Sequence, residues 1–166
     1  MITPRYVQTM AAYNSEMNRR TFAAADTLDE AQRRAEDGAF FGSIHGTLSH
    51  LLWADAIWMH RFAGWEAPEG GIPGSASLHP NWDAMRAARF ALDARIEGWA
   101  ADIAQPWLDA DFTWTNSRGK VRTSYAALLV MHVFNHQTHH RGQVHALLTR
   151  HGAQTADTDL PWVVSG

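Results

Sequence analysis

Four stretches of this chain repeat their apolar residues every three or four positions, and long connections rich in glycine, proline or turn residues separate them. A period of 3.6 residues buries one face of a helix, so the pattern commits most of the chain to α-helix. The first stretch has Thr3 as N-cap, Pro4 at the first helical position and Tyr6, Met10, Tyr13 and Met17 along one face, which predicts a helix to about Ala25. The second opens at Ser43 and carries Ile44, Leu48, Leu51, Leu52, Trp58 and Phe62 to Gly64. The third starts near Asn81 and steps through Trp82, Met85, Arg89, Leu92, Ile96, Trp99 and Ile103 before Pro106 ends it. The fourth is capped by Thr123 or Ser124, runs to about His151 and stops at Gly152.

The connections differ in kind. Residues 27–41 read as a link with a short helical piece, and residues 64–80 as a long loop, with Gly70-Gly71 and Pro73-Gly74, of a length that is functional or mobile in many proteins. Phe112 and Trp114 alternate with Thr113 and Thr115, residues 116–119 supply turn chemistry and Val121 lies on the return, which predicts a small hairpin. The tail from Asp157 has no helical period. At 166 residues the chain reads as one domain, residues 1–166. The expected fold is all-α: a four-helix bundle with long crossover connections, the second and third being long enough to cross it, and a β-hairpin before the last helix.

Charge and cysteine content narrow the partners. Against 17 Asp and Glu stand 14 Lys and Arg, a formal charge of -3, so no basic footprint for nucleic acid exists. No apolar run reaches the roughly 20 residues that span a bilayer, and residues 1–18 lack a signal-peptide core, so a cytoplasmic chain without a membrane partner is expected. Cysteine is absent, which leaves nitrogen and oxygen as the available metal ligands. Of the eight Trp, Trp53, Trp58, Trp82 and Trp99 fall on apolar stripes and are expected in the core, while Trp65 and Trp114 are placed to wall a pocket mouth. A small apolar bundle with surplus Trp is expected to form a homodimer.

Histidine carries the functional signal. Six of the ten lie between His132 and His151. Residues four apart on a helix differ by about 40° and about 6 Å, so His136 and His140 project from one face and are spaced to share one ion. His132 with His136 has the same spacing, and His139 lies three beyond His136, so periodicity selects no unique pair. Two ligands on one helix hold a divalent ion weakly, and His50, in mid-helix, is the best third candidate. Three neutral imidazoles suit zinc, nickel or iron and leave positions for water or substrate. Gln137 directly follows His136, where a zincin requires Glu, and no Glu has His three residues later, as a di-iron bundle requires.

Two segments resemble the DinB/YfiT-like family of metalloenzymes: residues 43–50, S-I-H-G-T-L-S-H, followed by Trp53-Ala54-Asp55, and residues 135–143, N-H-Q-T-H-H-R-G-Q. The order of helices, the hairpin and Asp159-Leu160-Pro161 in the tail are also similar. The resemblance implies a four-helix bundle with a divalent ion on three His, which map to His50, His136 and His140. It further implies metal-dependent chemistry on a small-molecule substrate, with water or a low-molecular-weight thiol activated, as in relatives that are thiol-dependent transferases or isomerases. A non-catalytic metal- or ligand-binding bundle, a sensor or stress protein, is the alternative, and a plain bundle with hydrogen-bonded His is a third.

Among the neighbours, His45 lies about 140° from His50 and points elsewhere, and His139 faces another side from the pair. His132 is placed to line the pocket, and the expected proton acceptor is the metal-bound hydroxide, His132 or His139. Arg141 and Gln143 are expected to tether helices or support ligands. Gly142 is expected to permit close helix packing, and Asp55 to orient a ligand or pair with Arg141. His60, His79, His145 and His151 read as surface or boundary residues.

Overall fold

A computed structural model describes residues 1–164. The four long helices are α1 (Pro4–Asp26), α3 (Ile44–Ala63), α4 (Trp82–Asp102) and α6 (Ala126–Arg150), with short helices α2 (Glu30–Arg34), α5 (Gln105–Leu108) and α7 (Leu160–Val164) between and after them. The starts follow the expected capping chemistry. Thr3 accepts from the Tyr6 N–H with Pro4 in the first turn, Ser43 accepts from Gly46, and Asn81 accepts from Ala84. Gly64 ends α3 at φ 68°, a left-handed conformation that glycine adopts without strain.

The start of α6 differs from expectation. Thr123 and Ser124 do not cap it; they lie in β2 (Val121–Tyr125), paired antiparallel with Thr113 and Phe112 of β1 (Asp111–Thr115). The helix begins at Ala126 without a side-chain cap, and the Ala126 N–H is satisfied by the Ala110 carbonyl instead. The strand pairing therefore consumes the residues that would otherwise cap. The tail also holds a helix, α7, only five residues long and so too short to show a period. It packs on α1, strapped by the Tyr13 hydroxyl donating to the Thr158 carbonyl at 2.6 Å.

Helix α1 packs mainly against α4 and α6, and α3 against the same two. The first and third connections therefore join helices across a diagonal, while the second joins neighbours. The long connection at residues 64–81 is thus no crossover. It holds a 3-10 turn (Ile72–Ser77) and is sewn to α3 by side chains: Ser49 Oγ donates to the Ser75 carbonyl at 2.6 Å and Trp53 Nε1 to the Glu69 carbonyl at 3.0 Å. His45 Nε2 bonds the His79 carbonyl at 2.7 Å.

Apolar residues from all four long helices form a contiguous core, with Val7, Phe22, Leu48, Leu51, Met85, Phe134 and Leu148 almost wholly buried. Of the Trp residues expected there, only Trp53 is fully buried; Trp58, Trp82 and Trp99 are half-buried at its margin. Arg89 replaces an apolar residue at the centre of the α4 stripe and is 1% exposed. Its guanidinium is paired with Asp55 of α3 at 2.8 Å and Asp93 of α4 at 2.7 Å. Asp93 accepts from Asn18 of α1, Asp55 from Gln137 of α6, and Gln137 in turn accepts from Arg141 at 3.0 Å. This network ties all four long helices together through hydrogen-bonded charges, the condition under which buried ions are tolerated.

Candidate metal centre

The site is built on α3 and α6, which pack against each other. The structure brings His50, His136 and His140 together, with one ring nitrogen of each within 4.8 Å of the others. Ring centroids are 5.2 Å apart for His50 and His136, 5.1 Å for His50 and His140, and 4.5 Å for His136 and His140. His50 and His140 are buried and His136 is partly exposed. The spacing of four along α6 and the packing of α3 across it account for the convergence.

Neighbouring groups fix which nitrogens face inward. Ser75 Oγ donates its proton to the Ile72 carbonyl at 2.8 Å, so toward His50 Nδ1, also at 2.8 Å, it can only accept. His50 therefore carries its proton on Nδ1, and Nε2 presents a lone pair. His140 Nδ1 likewise donates to Gln143 Oε1 at 2.9 Å, leaving its Nε2 free. His50 Nε2 lies 3.3 Å from His136 Nε2. With His50 Nε2 unprotonated, either His136 supplies a proton to that contact or a cation takes its place.

Electrostatics favour neutral rings. Burial pushes the His50 imidazole down to about 4, and the proximity of His140 adds to this. Burial also pushes His136 down to about 3, with His140 and His50 contributing further, and it lowers His140. Neutral imidazoles with convergent lone pairs are the donor set that zinc, nickel and iron accept, so the residues present fit a divalent ion.

Aromatic rings close the site on one side. Phe41 stacks on His50 with centroids 3.7 Å apart and planes at 19°, and also leans on His140 at 5.3 Å. Gly46 makes that placement possible, because a Cβ there would collide with the Phe41 carbonyl oxygen. Trp53 lies 6.1 Å from His50. Ser75, Phe41 and Gly46 all escape the sequence reading. Their only local signal is the Gly46 in mid-motif, and their roles depend on contacts between separate elements.

The other histidines divide as follows. His132 is exposed, 5.8 Å from His136 and 5.5 Å from Trp58, and His139 is exposed, 4.9 Å from His140. His45 points away, toward Trp82 at 5.6 Å. His60, His145 and His151 tie to the Trp65 carbonyl, Thr155 and Asp37 respectively. Gln143 supports His140 and donates to His139 Nε2 at 3.3 Å, so of its two expected roles it supports a ligand residue. Arg141 donates to Gln137 one turn back on α6, a contact within that helix. Asp55 neither orients one of the three His nor pairs with Arg141: it pairs with Arg89 and accepts from Gln137. Gly142 serves no close packing, since a Cβ there would meet nothing within 4 Å.

Trp114 lies 6.0 Å from Trp58 and, with Trp53, Arg61 and Gly71, lines a cavity of about 500 Å³ between α3, the 64–81 connection and the hairpin. Trp65 is not among its lining residues; it stacks under Arg95 at 4.0 Å. None of His50, His136 and His140 lines this cavity, although Trp53 separates it from His50.

The family model described as "DinB family" matches residues 1–165. Comparison with the curated proteins and with the solved structures returns no match.

Proposed function

Because the chain belongs to the DinB family, we propose that it is a four-helix bundle of the DinB/YfiT type which holds a divalent ion on His50, His136 and His140. In this reading it is a metal-dependent enzyme of hydrolase or thiol-dependent transferase type, acting in the cytoplasm, as a homodimer, on a small-molecule substrate. The observation that carries it is the convergence of three imidazole nitrogens, with the inward tautomers of His50 and His140 set by Ser75 and Gln143. A zinc, nickel or iron ion held there supplies Lewis acidity and lowers the pKa of water or of a small-molecule thiol.

The chain's own residues do the rest. Ser75 and Gln143 orient two of the ligands, a role whose loss weakens metal sites in general. Phe41 and Trp53 exclude water from the buried side of His50. His132 and His139, exposed beside the cluster, are placed to pass protons between it and solvent. No membrane role is part of this reading: among the described residues no helix is long and apolar enough to cross a bilayer.

A non-catalytic metal-binding bundle is the second reading, favoured by the Phe41 ring that covers His50 and by the separation of the three His from the 500 Å³ cavity. Metal analysis of untagged protein beside H136A and H140A tests both. Absence of stoichiometric metal in wild type after zinc, nickel and iron are offered removes both readings. A screen of electrophiles with glutathione, mycothiol or bacillithiol then separates them, metal-dependent turnover favouring the enzyme.

A further inference from the structure

The cavity of about 500 Å³ between α3, the 64–81 connection and the hairpin has no part in the metal reading, since none of the three clustered His lines it. Much of its wall is aromatic. Trp53 of α3 is buried, and its indole N–H is committed to the Glu69 carbonyl at 3.0 Å, which fixes the ring. Phe112 and Trp114 are the half-buried residues of β1, whose alternate positions are exposed, so the pleat turns both rings from solvent toward the helices.

One fixed charge stands among these rings. Trp53, Ile57, His60 and Arg61 recur on one face of α3, and all four line the cavity. Arg61 is half-buried, with its guanidinium 4.6 Å over the Trp58 ring. That ring offers a π face but no acceptor lone pair in line. Among the described residues Arg61 has no hydrogen-bond or ion-pair partner, yet none of its nitrogens is sealed from solvent. No Asp or Glu lines the cavity. Burial pushes the guanidinium down, and no carboxylate stands near enough to push it back. His60, the other titratable lining residue, has Nδ1 committed to the Trp65 carbonyl at 2.6 Å. Arg89 shows the usual remedy for a guanidinium out of water, two carboxylates, and Arg61 has neither. A partly desolvated cation with unmet donors draws an anion.

We propose that this cavity binds an aromatic oxyanion, a planar ring against Trp53 and Trp114 whose carboxylate or phosphate group accepts from Arg61. Aromatic walls with a few polar groups are the usual form of a small-molecule site, and rings pack on such walls in offset or edge-on geometry. Both anionic groups match the guanidinium fork. The proposal requires neither a metal nor turnover.

Calorimetric titration of the metal-free full chain is the test, with 2-naphthoate, 2-naphthyl phosphate, 2-naphthylmethanol, acetate and inorganic phosphate as probes. At least one naphthyl anion should saturate, with naphthylmethanol and both ring-free anions weaker by about tenfold or more. The tighter of the two naphthyl anions identifies the acidic group. R61M should lose about tenfold or more of that affinity while folding as wild type does, because it removes no hydrogen bond or ion pair. W114L, which takes away a wall and leaves Arg61 in place, should also weaken binding, and it carries the test if R61M does not fold. H136A should bind as wild type does. Equal binding of naphthylmethanol, ring-free anions as tight as the naphthyl ones, undiminished affinity in R61M, loss in H136A or no saturable binding would each overturn the proposal.

Discussion

Two buried polar clusters lie side by side on α6, reached by alternate neighbours: His136 and His140 serve one, Gln137 and Arg141 the other. In the Arg89 network each carboxylate meets a guanidinium and the charges compensate within the protein. In the histidine cluster burial favours neutral rings, and the Nε2 atoms of His50 and His136 lie 3.3 Å apart. The first cluster balances its charges as folded and links four helices, although Arg89 Nε and Arg141 Nη2 stay without a hydrogen-bond partner. The second is closed either by a proton that His136 itself carries or by a cation from outside, and that exchangeable position is what separates a binding site from a structural polar core.

The contrast is broken most severely by removing the centre of the closed network. Arg89→Met leaves Asp55 and Asp93 buried without a cation and should lower stability by about 3–5 kcal/mol in urea unfolding. A loss below about 1 kcal/mol would mean that the network is not the frame described. Next in size is ion binding at the open cluster. Zinc at about 100 times its Kd should stabilise wild type by about 2.7 kcal/mol in thermal unfolding, and H136A and H140A should show none of this.

Acidification comes third. The His50 imidazole titrates near 6.5 when unfolded and is lowered to about 4 in the fold, so the unfolded state binds the extra proton between those values. Stability of metal-free protein is therefore full above about pH 6.5 and is lost as pH falls toward 4. From pH 7 to 5 the loss attributable to His50 is about 2 kcal/mol, and His136, lowered to about 3, acts in the same direction. Urea unfolding across this range should show the decline, and H50Q should flatten it. The smallest effect concerns orientation. Ser75→Ala removes the acceptor for His50 Nδ1 and should weaken zinc about tenfold in chelator competition with little change in the fold.

Much of the frame was legible in local sequence. Thr3, Ser43 and Asn81 cap helices because a short side-chain oxygen meets a free N–H two or three residues on, which is a local relation. Spacing on α6 leaves His132 and His139 as rivals within the histidine set; the resemblance to the DinB/YfiT-like family singles out His136 and His140, and the packing of α3 brings His50 to both. What escaped depends on contacts between elements. Arg89 fits the α4 stripe by position, and only Asp55, on another helix, makes its burial intelligible. Ser75 lies in a connection whose Gly and Pro content signals a loop but not its attachment to α3. Thr123 and Ser124 have capping chemistry, and the hairpin claims them first.

The position of Trp53 against His50 has an optical consequence. An indole that close to an imidazole responds to a change in that ring's charge or to an open-shell ion beside it. Emission from the wild type, compared with a Trp53→Phe control to subtract the other seven indoles, would follow occupancy of the cluster without any added label.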